Sequence, residues 1–467
     1  MKHDHNADTP SVAQSLAEWA LSIRSADVPE ACIQQAKLLL LDSVACAIAG
    51  GVEPVCKNVV AICEEVGAAG PCTIIGRARQ VDIPHAILAN GAQVRVLDLN
   101  DYVVIPGTNG PEIGGHPSDN IPVALAVGEA RNRSGRDILA SIAVGYEVFG
   151  RLKTLMDRKG AWDGSSISGF VAPVMAGRLM DMSVERLTHA LALAGVRASS
   201  PALVRQGGIS AAKSIANAMV AQSAVEATLL AERGVTGPVA ILEHPRGVRS
   251  VFPKGDILET LMAPFPEQSY VMQSNVKAYP CVATGQSSAA AAIKIHGMLG
   301  GRVDTIKRIE IVMVDHHFVR HQQIDPSRAR PRSRESADHS FQYITAVALT
   351  DGTLGPAQYE GERWLDPKIT ALIDKMEMTT DPDLTGRAPG TYPSVVRVHD
   401  TSGKIYAVEQ LFPPGYSRGG IAEADVLDKF KSITDSVTSD KRDRIIAAGL
   451  KFDRTADPTE FCASLRP

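Results

Sequence analysis

Between residues 11 and about 260 the chain is one helix-forming segment after another, most with their own start or stop signals. SVAQSLAEWALSIR opens on Ser11, whose hydroxyl can accept from a first-turn amide, and repeats Val12, Leu16, Trp19 and Ile23 at helical spacing. VPEACIQQAKLLLLDSVACAIAGG places Pro29 in the first turn, where a missing N–H costs nothing, and ends at Gly50-Gly51. Pro84 and Pro122 open two further helices in the same way. SGRDILASIAVGYEVFGRLKTL has Ser134 as cap and Asp137 in the first turn, where a carboxylate favours the helix dipole. SVERLTHALALAG and AAKSIANAMVAQSAVEATLLAERG continue the series. Aromatics are only 5% of the chain while alanine and glycine are plentiful, so these helices can approach closely. No period of roughly 20–50 residues is visible, which excludes a solenoid.

Near residue 265 the texture changes. APFPEQSY is rich in proline and aromatics and reads as a crossover. TIKRIEIVMVD then alternates apolar and polar residues like a half-buried strand, and SVVRVHDTSGKIYAVEQ gives two more strands around a D-T-S-G turn. The helix-like ATGQSSAAAAIKIHGML and SFQYITAVALTDG lie between them. A chain of 467 residues exceeds one compact core. The expected fold is mainly α with an α+β part: a large all-helical domain over 10–265 and a smaller α+β domain over 266–410. A helical C-terminal segment, 411–467, packs back on the first.

Several function classes are excluded. The formal charge is −4 with both signs interspersed, so there is no basic footprint for nucleic acid. No apolar run approaches the ~20 residues that span a bilayer, so no membrane partner is expected. The start, MKHDHNADTPSVAQ, has no apolar signal segment. Seven cysteines, an odd number with no C-x-x-C pair, read as reduced, buried thiols of a cytoplasmic protein. There is no phosphate-binding G-x-x-x-x-G-K-[ST] and no strand-borne G-x-G-x-x-G, so no nucleotide cofactor is expected. GSSISG lacks the G-x-S-x-G spacing of a nucleophile elbow. In DHHFVRH, His317 and His321 would share a helix face and could hold a metal, but no third ligand is evident. The plainer reading is a polar strand exit with solvated histidines, and no metal is expected.

The polar stretch LDLNDYVVIPGTNGPEIGGHPSDN poses the functional question. Asp98, Asn100 and Asp101 precede a glycine-rich loop that ends in His116, just before a helix signal. Taken with SGRDILASIAVGYEVFGRL, GGISAAKSIANAMVAQSAVEATLLAERGVTGP, NVKAYPCVATGQSSAAA and ADHSFQYITAVALTDG, the order and spacing resemble the MmgE/PrpD family over nearly the whole chain. That family includes 2-methylcitrate dehydratases, cis-aconitate decarboxylases and an iminodisuccinate epimerase. The resemblance implies a helical domain with an α+β lid, a homodimer, a cleft between the domains, and no metal or organic cofactor. It implies catalytic roles for Asp98, His116, Lys213, Lys277 and Tyr343. These residue types suit proton removal next to a carboxylate: lysines neutralise the developing charge, and histidine exchanges a proton near neutrality. For each residue the sequence also allows a structural role. His116 would cap a helix, Asp98 would satisfy turn amides, the lysines would be solvated, and Tyr343 would be core with its hydroxyl bonded.

Departures from the family pattern bear on the substrate. Trp162, Asp163 and Gly164 stand where relatives carry F-H-P, Tyr102 where a threonine follows the acidic pair, and Thr284 and Gln286 where histidines follow K-x-Y-P-C-C. Tyr102, Asp163, Gln286 and His339 are the expected substrate-binding residues. Asp163 puts an anion where a histidine is usual, which repels a tricarboxylate unless another cation compensates. The activity implied is a cofactor-independent lyase that dehydrates a small hydroxylated polycarboxylate. The alternatives are an epimerase of a small dicarboxylate and a non-catalytic carboxylate-binding homologue.

Overall fold

The computed structural model describes residues 10–107, 110–157, 160–197, 199–388, 390–416 and 419–467. Helix starts follow local chemistry. Ser11 accepts from the Gln14 amide at 3.1 Å and Ser134 from the Asp137 amide at 3.1 Å, while Pro84 and Pro122 sit in first turns. Pro29 differs slightly: it lies just before the Glu30–Gly50 helix, at the capping position. That helix is long and apolar enough to cross a membrane, contrary to the expectation that no segment is. However, 89% of its apolar window is buried inside the protein, so it serves as a core helix. All seven cysteines are free and buried.

Apolar side chains gather into two main cores. The larger joins the helices from Val12 to Ala231 with Val426, Phe430, Ile445, Phe452 and Phe461 of the C-terminal segment. The other joins residues between Cys281 and Val408 around a four-stranded sheet. Its order is Met376–Asp381, Ile306–Val314, Ser394–Asp400, Ile405–Gln410; the first pair is parallel and the others antiparallel. Ile309, Ile311 and Met313 are buried in that core while Arg308 and Glu310 are not, as the alternation of a strand requires.

One stretch is more ordered than its glycines suggest. The loop before His116 is a β-hairpin, Tyr102–Gly107 with Gly110–Gly115, extended by Ser274–Asn275 of the crossover. The β-branched run in YVVIP supplies the strand propensity, and Ile105 and Val103 fill the space that Gly114 leaves open.

The C-terminal segment docks tightly at Gly135, where an added Cβ would lie 1.7 Å from the Phe452 carbonyl oxygen. Gly135→Ala is therefore expected to push that segment off the Gly135–Leu155 helix at a cost of about 1–3 kcal/mol. Chemical denaturation checks this; a variant as stable as the parent would mean that the docking is loose.

Candidate active site

The Ile83–Arg95 helix ends in a turn whose pivot is Asp98, held in left-handed backbone conformation at φ 51°. That turn brings its carboxylate, 1% exposed, beneath a cleft of about 870 Å³ between the two cores. Three cations meet it. Arg95 Nη1 and Lys277 Nζ both donate to Oδ1, the lysine at 2.7 Å, and Lys277 also donates to the Asp98 carbonyl at 2.8 Å. Lys213 Nζ lies 3.4 Å from Oδ2 and 3.5 Å from Asp338 Oδ2. Burial alone would raise the Asp98 carboxyl, but Arg95, Lys213 and Lys277 outweigh it and hold it well below the usual carboxylate range. Burial lowers both lysines, with Asp98 opposing the shift. Both lysines are fully buried behind Asp98, so neither forms part of the cleft wall.

His116 and His339 do line the cleft. His116 precedes the Pro117–Asn120 turn but makes no capping bond. Its Nδ1 sits 2.5 Å from the Asp101 carbonyl oxygen, which can only accept, so Nδ1 carries the proton. Nε2 is left with a lone pair, 3.9 Å from Asp98 Oδ1. Burial, aided by Arg95 and Lys277, depresses its pKa well below the ordinary value, so the ring stays neutral. His339 is fixed in a similar way: Nδ1 donates to the adjacent Asp338 carboxylate and lies 3.6 Å from Asp98 Oδ2. Burial, with Lys213, brings its pKa down to about 4.

Asp119, on the same wall, has its carboxyl raised to about 6 by burial, against the pull of Arg95 and Arg205. Its Oδ1 accepts from Asn100 at 2.9 Å, and Oδ2 lies 3.8 Å from Arg95 Nε. Asp101 lies deeper, where it accepts from Ser118 and Tyr146, and burial raises its carboxyl to about 7. Asp98, Asp338 and His339 have ligand atoms close enough for a metal ion, but Lys213 already lies between the two carboxylates.

Asp163 has two roles. It accepts from the Ser165 amide at 2.9 Å as a helix cap, and it lines the cleft. Its other oxygen accepts from Arg205 Nε at 2.7 Å. Burial opposes that charge, yet Arg205 holds the carboxyl well below its ordinary pKa. Asp163 is therefore not an uncompensated anion, and the expected repulsion of a third carboxylate is removed by Arg205.

Besides the two lysines, three more expected residues lie off the cleft wall. Tyr343 is buried in the second core and donates to the Gln358 carbonyl, so it has no path to a leaving group. Gln286 spends its amide on the backbone of 278, 279 and 281. Tyr102 is a buried strand residue paired with Asn275. His316 caps the His317–Ile324 helix by accepting from the Phe318 amide, and His321 pairs with Asp325 at 3.1 Å at the cleft wall. Sequence reasoning did not single out Arg95, Asp119, Asp338, Arg205 or Arg328. Arg95 was the most accessible of these: a basic residue in a last helical turn, three before the acid it meets.

Known families and relatives match the chain over most of its length. The model of the MmgE/PrpD N-terminal domain matches residues 14–260, and that of the MmgE/PrpD C-terminal domain matches 279–453. The chain is 26% identical over 426 residues to 2-methylcitrate dehydratase of Salmonella typhimurium, covering 84% of each. It is 26% identical over 449 residues to cis-aconitate decarboxylase of Mus musculus, covering 90% of this chain and 86% of the relative. With cis-aconitate decarboxylase of Aspergillus terreus the identity is 23% over 483 residues, covering 97% and 95%.

Asp98→Asn isolates the electrostatic claim, because asparagine keeps the shape and tolerates the left-handed backbone. It leaves three buried cations short of an anion, so a stability loss of about 3–5 kcal/mol is expected in chemical denaturation. Because the native carboxyl titrates well below its unfolded value, this contribution is fully present above a pH of about 4 and lost as pH falls further. The difference between parent and variant should therefore shrink in acid. A difference that stays constant with pH would refute the charge argument.

Proposed function

The chain belongs to the MmgE/PrpD family, and from that premise we propose that it is a cofactor-independent lyase that removes water from a small hydroxylated polycarboxylate. The observation that carries the reading is the tautomer of His116. With Nδ1–H committed to the Asp101 carbonyl, the unprotonated Nε2 sits at the cleft beside a buried cationic cluster. The substrates in the relatives' names, 2-methylcitrate and cis-aconitate, are polycarboxylates, which suits such a cleft.

In the proposed reaction His116 Nε2 takes the proton from the carbon next to a substrate carboxylate. Arg95, Lys213 and Lys277 stabilise the charge that spreads onto that carboxylate, in a site where few water dipoles compete. The electron pair becomes the new C=C bond as the C–O bond breaks. The departing hydroxide takes a proton from Asp119 and leaves as water. Arg95, Lys213 and Lys277 balance Asp98, Asp338 and ionised Asp119, so an arriving anion favours the protonated form of Asp119. Binding thus prepares the acid. The reading carries with it a homodimer, as the family resemblance implies, and a cytoplasmic location, as the cysteine pattern implies.

A second reading rests on His339, a neutral imidazole on the same cleft whose Nδ1 is tied to Asp338. If Nε2 of His339 first took up a proton from solvent and then gave it to the other face of the carbanion left by His116, the product would be an epimer. The first step is common to both, and only a leaving group separates them.

A panel of hydroxylated di- and tricarboxylates in deuterated buffer tests these readings. Dehydration produces absorbance in the conjugated-alkene band, whereas epimerisation exchanges solvent deuterium without it. No exchange and no absorbance with any member would reject catalysis of either kind. His116→Asn is expected to lower kcat by about 10²–10⁴-fold in a folded protein. The pH profile adds a signed check. His116 must be neutral, so its limb falls well to the acid side of 6.5; Asp119 must keep a proton, so kcat/KM declines as pH rises past about 6. In Asp119→Asn that alkaline decline should vanish along with most of the rate. Its persistence would show that another group is the acid.

A further inference from the structure

We propose that Arg205 and Arg328 form a second anion subsite in the cleft, which binds a substrate carboxylate remote from the carbon that loses its proton. This deepens the reading above and rests on it for the identity of the ligand, though not for the site itself.

Arg328 is only 2% exposed, yet its Nε and Nη1 have no hydrogen-bond partner among the described residues. Its nearest carboxylate oxygen, Asp325 Oδ2, is 3.6 Å away, too far for a hydrogen bond. Asp325 Oδ1 accepts from the Ser327 amide and hydroxyl, while Oδ2 faces His321 at 3.1 Å without a hydrogen bond. A buried guanidinium with two idle donors is costly unless something else fills them. Arg328 lines the cleft, so the filler can come from there.

Arg205 supplies the other half. Its Nε is spent on Asp163, but its two terminal nitrogens make no hydrogen bond among the described residues, and the side chain also lines the cleft. The two arginines are fixed relative to each other, because Arg328 Nη2 donates to the Arg205 carbonyl at 3.3 Å. The anions nearby do not fill these donors. Asp163 already takes Ser165 and Arg205; Asp325 Oδ1 takes Ser327, and its Oδ2 makes no hydrogen bond and lies 3.6 Å from Arg328 Nε, beyond bonding reach. Charges there balance, but donors outnumber acceptors, which is the condition for binding a planar oxyanion. The subsite also communicates with the reacting end. Arg205 acts on Asp119 and Lys213, and Arg328 acts on Asp338. One substrate can therefore span both, with one carboxylate at each end.

The probe is tricarballylate, an unreactive tricarboxylate, titrated calorimetrically into the full chain. Arg328→Gln and Arg205→Gln are each expected to weaken its binding by roughly 10–100-fold, the scale of a lost charged hydrogen bond. Arg328→Lys, which keeps the charge but loses the fork, should lose affinity severalfold and guards against a glutamine variant that fails to fold. Arg330→Gln, an exposed arginine paired with Asp374, is the control and should bind as the parent does. Inorganic phosphate at the same concentration should not displace the tricarboxylate. Binding within twofold of the parent in folded Arg328 variants, an equal loss in the Arg330 control, or full displacement by phosphate would each overturn the proposal. Because the readout is binding, it stays separate from the reaction. Loss of affinity without turnover of any hydroxy acid would leave the subsite and reject the lyase; turnover with unaltered affinity would do the reverse.

Discussion

Arg95, Lys213, Lys277 and His339 converge on the carboxylate of Asp98 from four separate parts of the chain. A buried ion is tolerated only when partnered, so each of these groups depends on the others for its solvation. Arg95 ends one helix, Lys213 begins the Ala212–Glu232 helix, Lys277 lies on the crossover, and His339 precedes the Phe341–Asp351 helix. No single core can satisfy the cluster alone. The docking of the two units and the completion of the charge network are thus one event, and the cleft inherits its field from that event.

Orientation within the site comes from close neighbours in sequence. Asp101 aims His116, fifteen residues on; Asp338 aims the adjacent His339; Ser165 steadies Asp163 two residues back. Each of the two histidine rings has one nitrogen tied down and the other left for the cleft. Such ties cost little conformational entropy, since turns and caps already hold their ends. They also decide protonation: a carbonyl partner at Nδ1 leaves the His116 lone pair at Nε2 no matter what occupies the cleft.

The legible parts of the sequence were those set by local rules. Ser11 and Ser134 cap where their spacing says, and the alternation in TIKRIEIVMVD becomes the central strand. The Tyr102–Gly115 hairpin was obscured because its glycines and polar residues outweigh a short β-branched run. Family resemblance pointed to Asp98, His116 and the lysines, but not to depth. Lysines in apolar surroundings read equally well as cleft walls or as buried counterions, and only tertiary packing puts them behind Asp98. Tyr343 shows the limit differently: its helical stripe is buried all round, so the hydroxyl turns to the Gln358 carbonyl. Arg205 and Arg328 carry no pattern at all, since their pairing depends on a contact across 123 residues.

The discontinuity of the larger core has a consequence in time. The unit between Cys281 and Val408 is contiguous, so a growing chain holds everything that unit needs before the last helices exist. The helical unit, although it begins first, lacks Phe430, Ile445 and Phe461 until residues beyond 421 have been made. Until then Asp42 has no Lys429, which in the finished protein lies 2.6 Å from its carboxylate and donates to the Leu99 carbonyl beside Asp98. Synthesis therefore reverses the usual order in which domains mature. The second unit completes while the first is still open, and the loop that carries Asp98 is secured near the end.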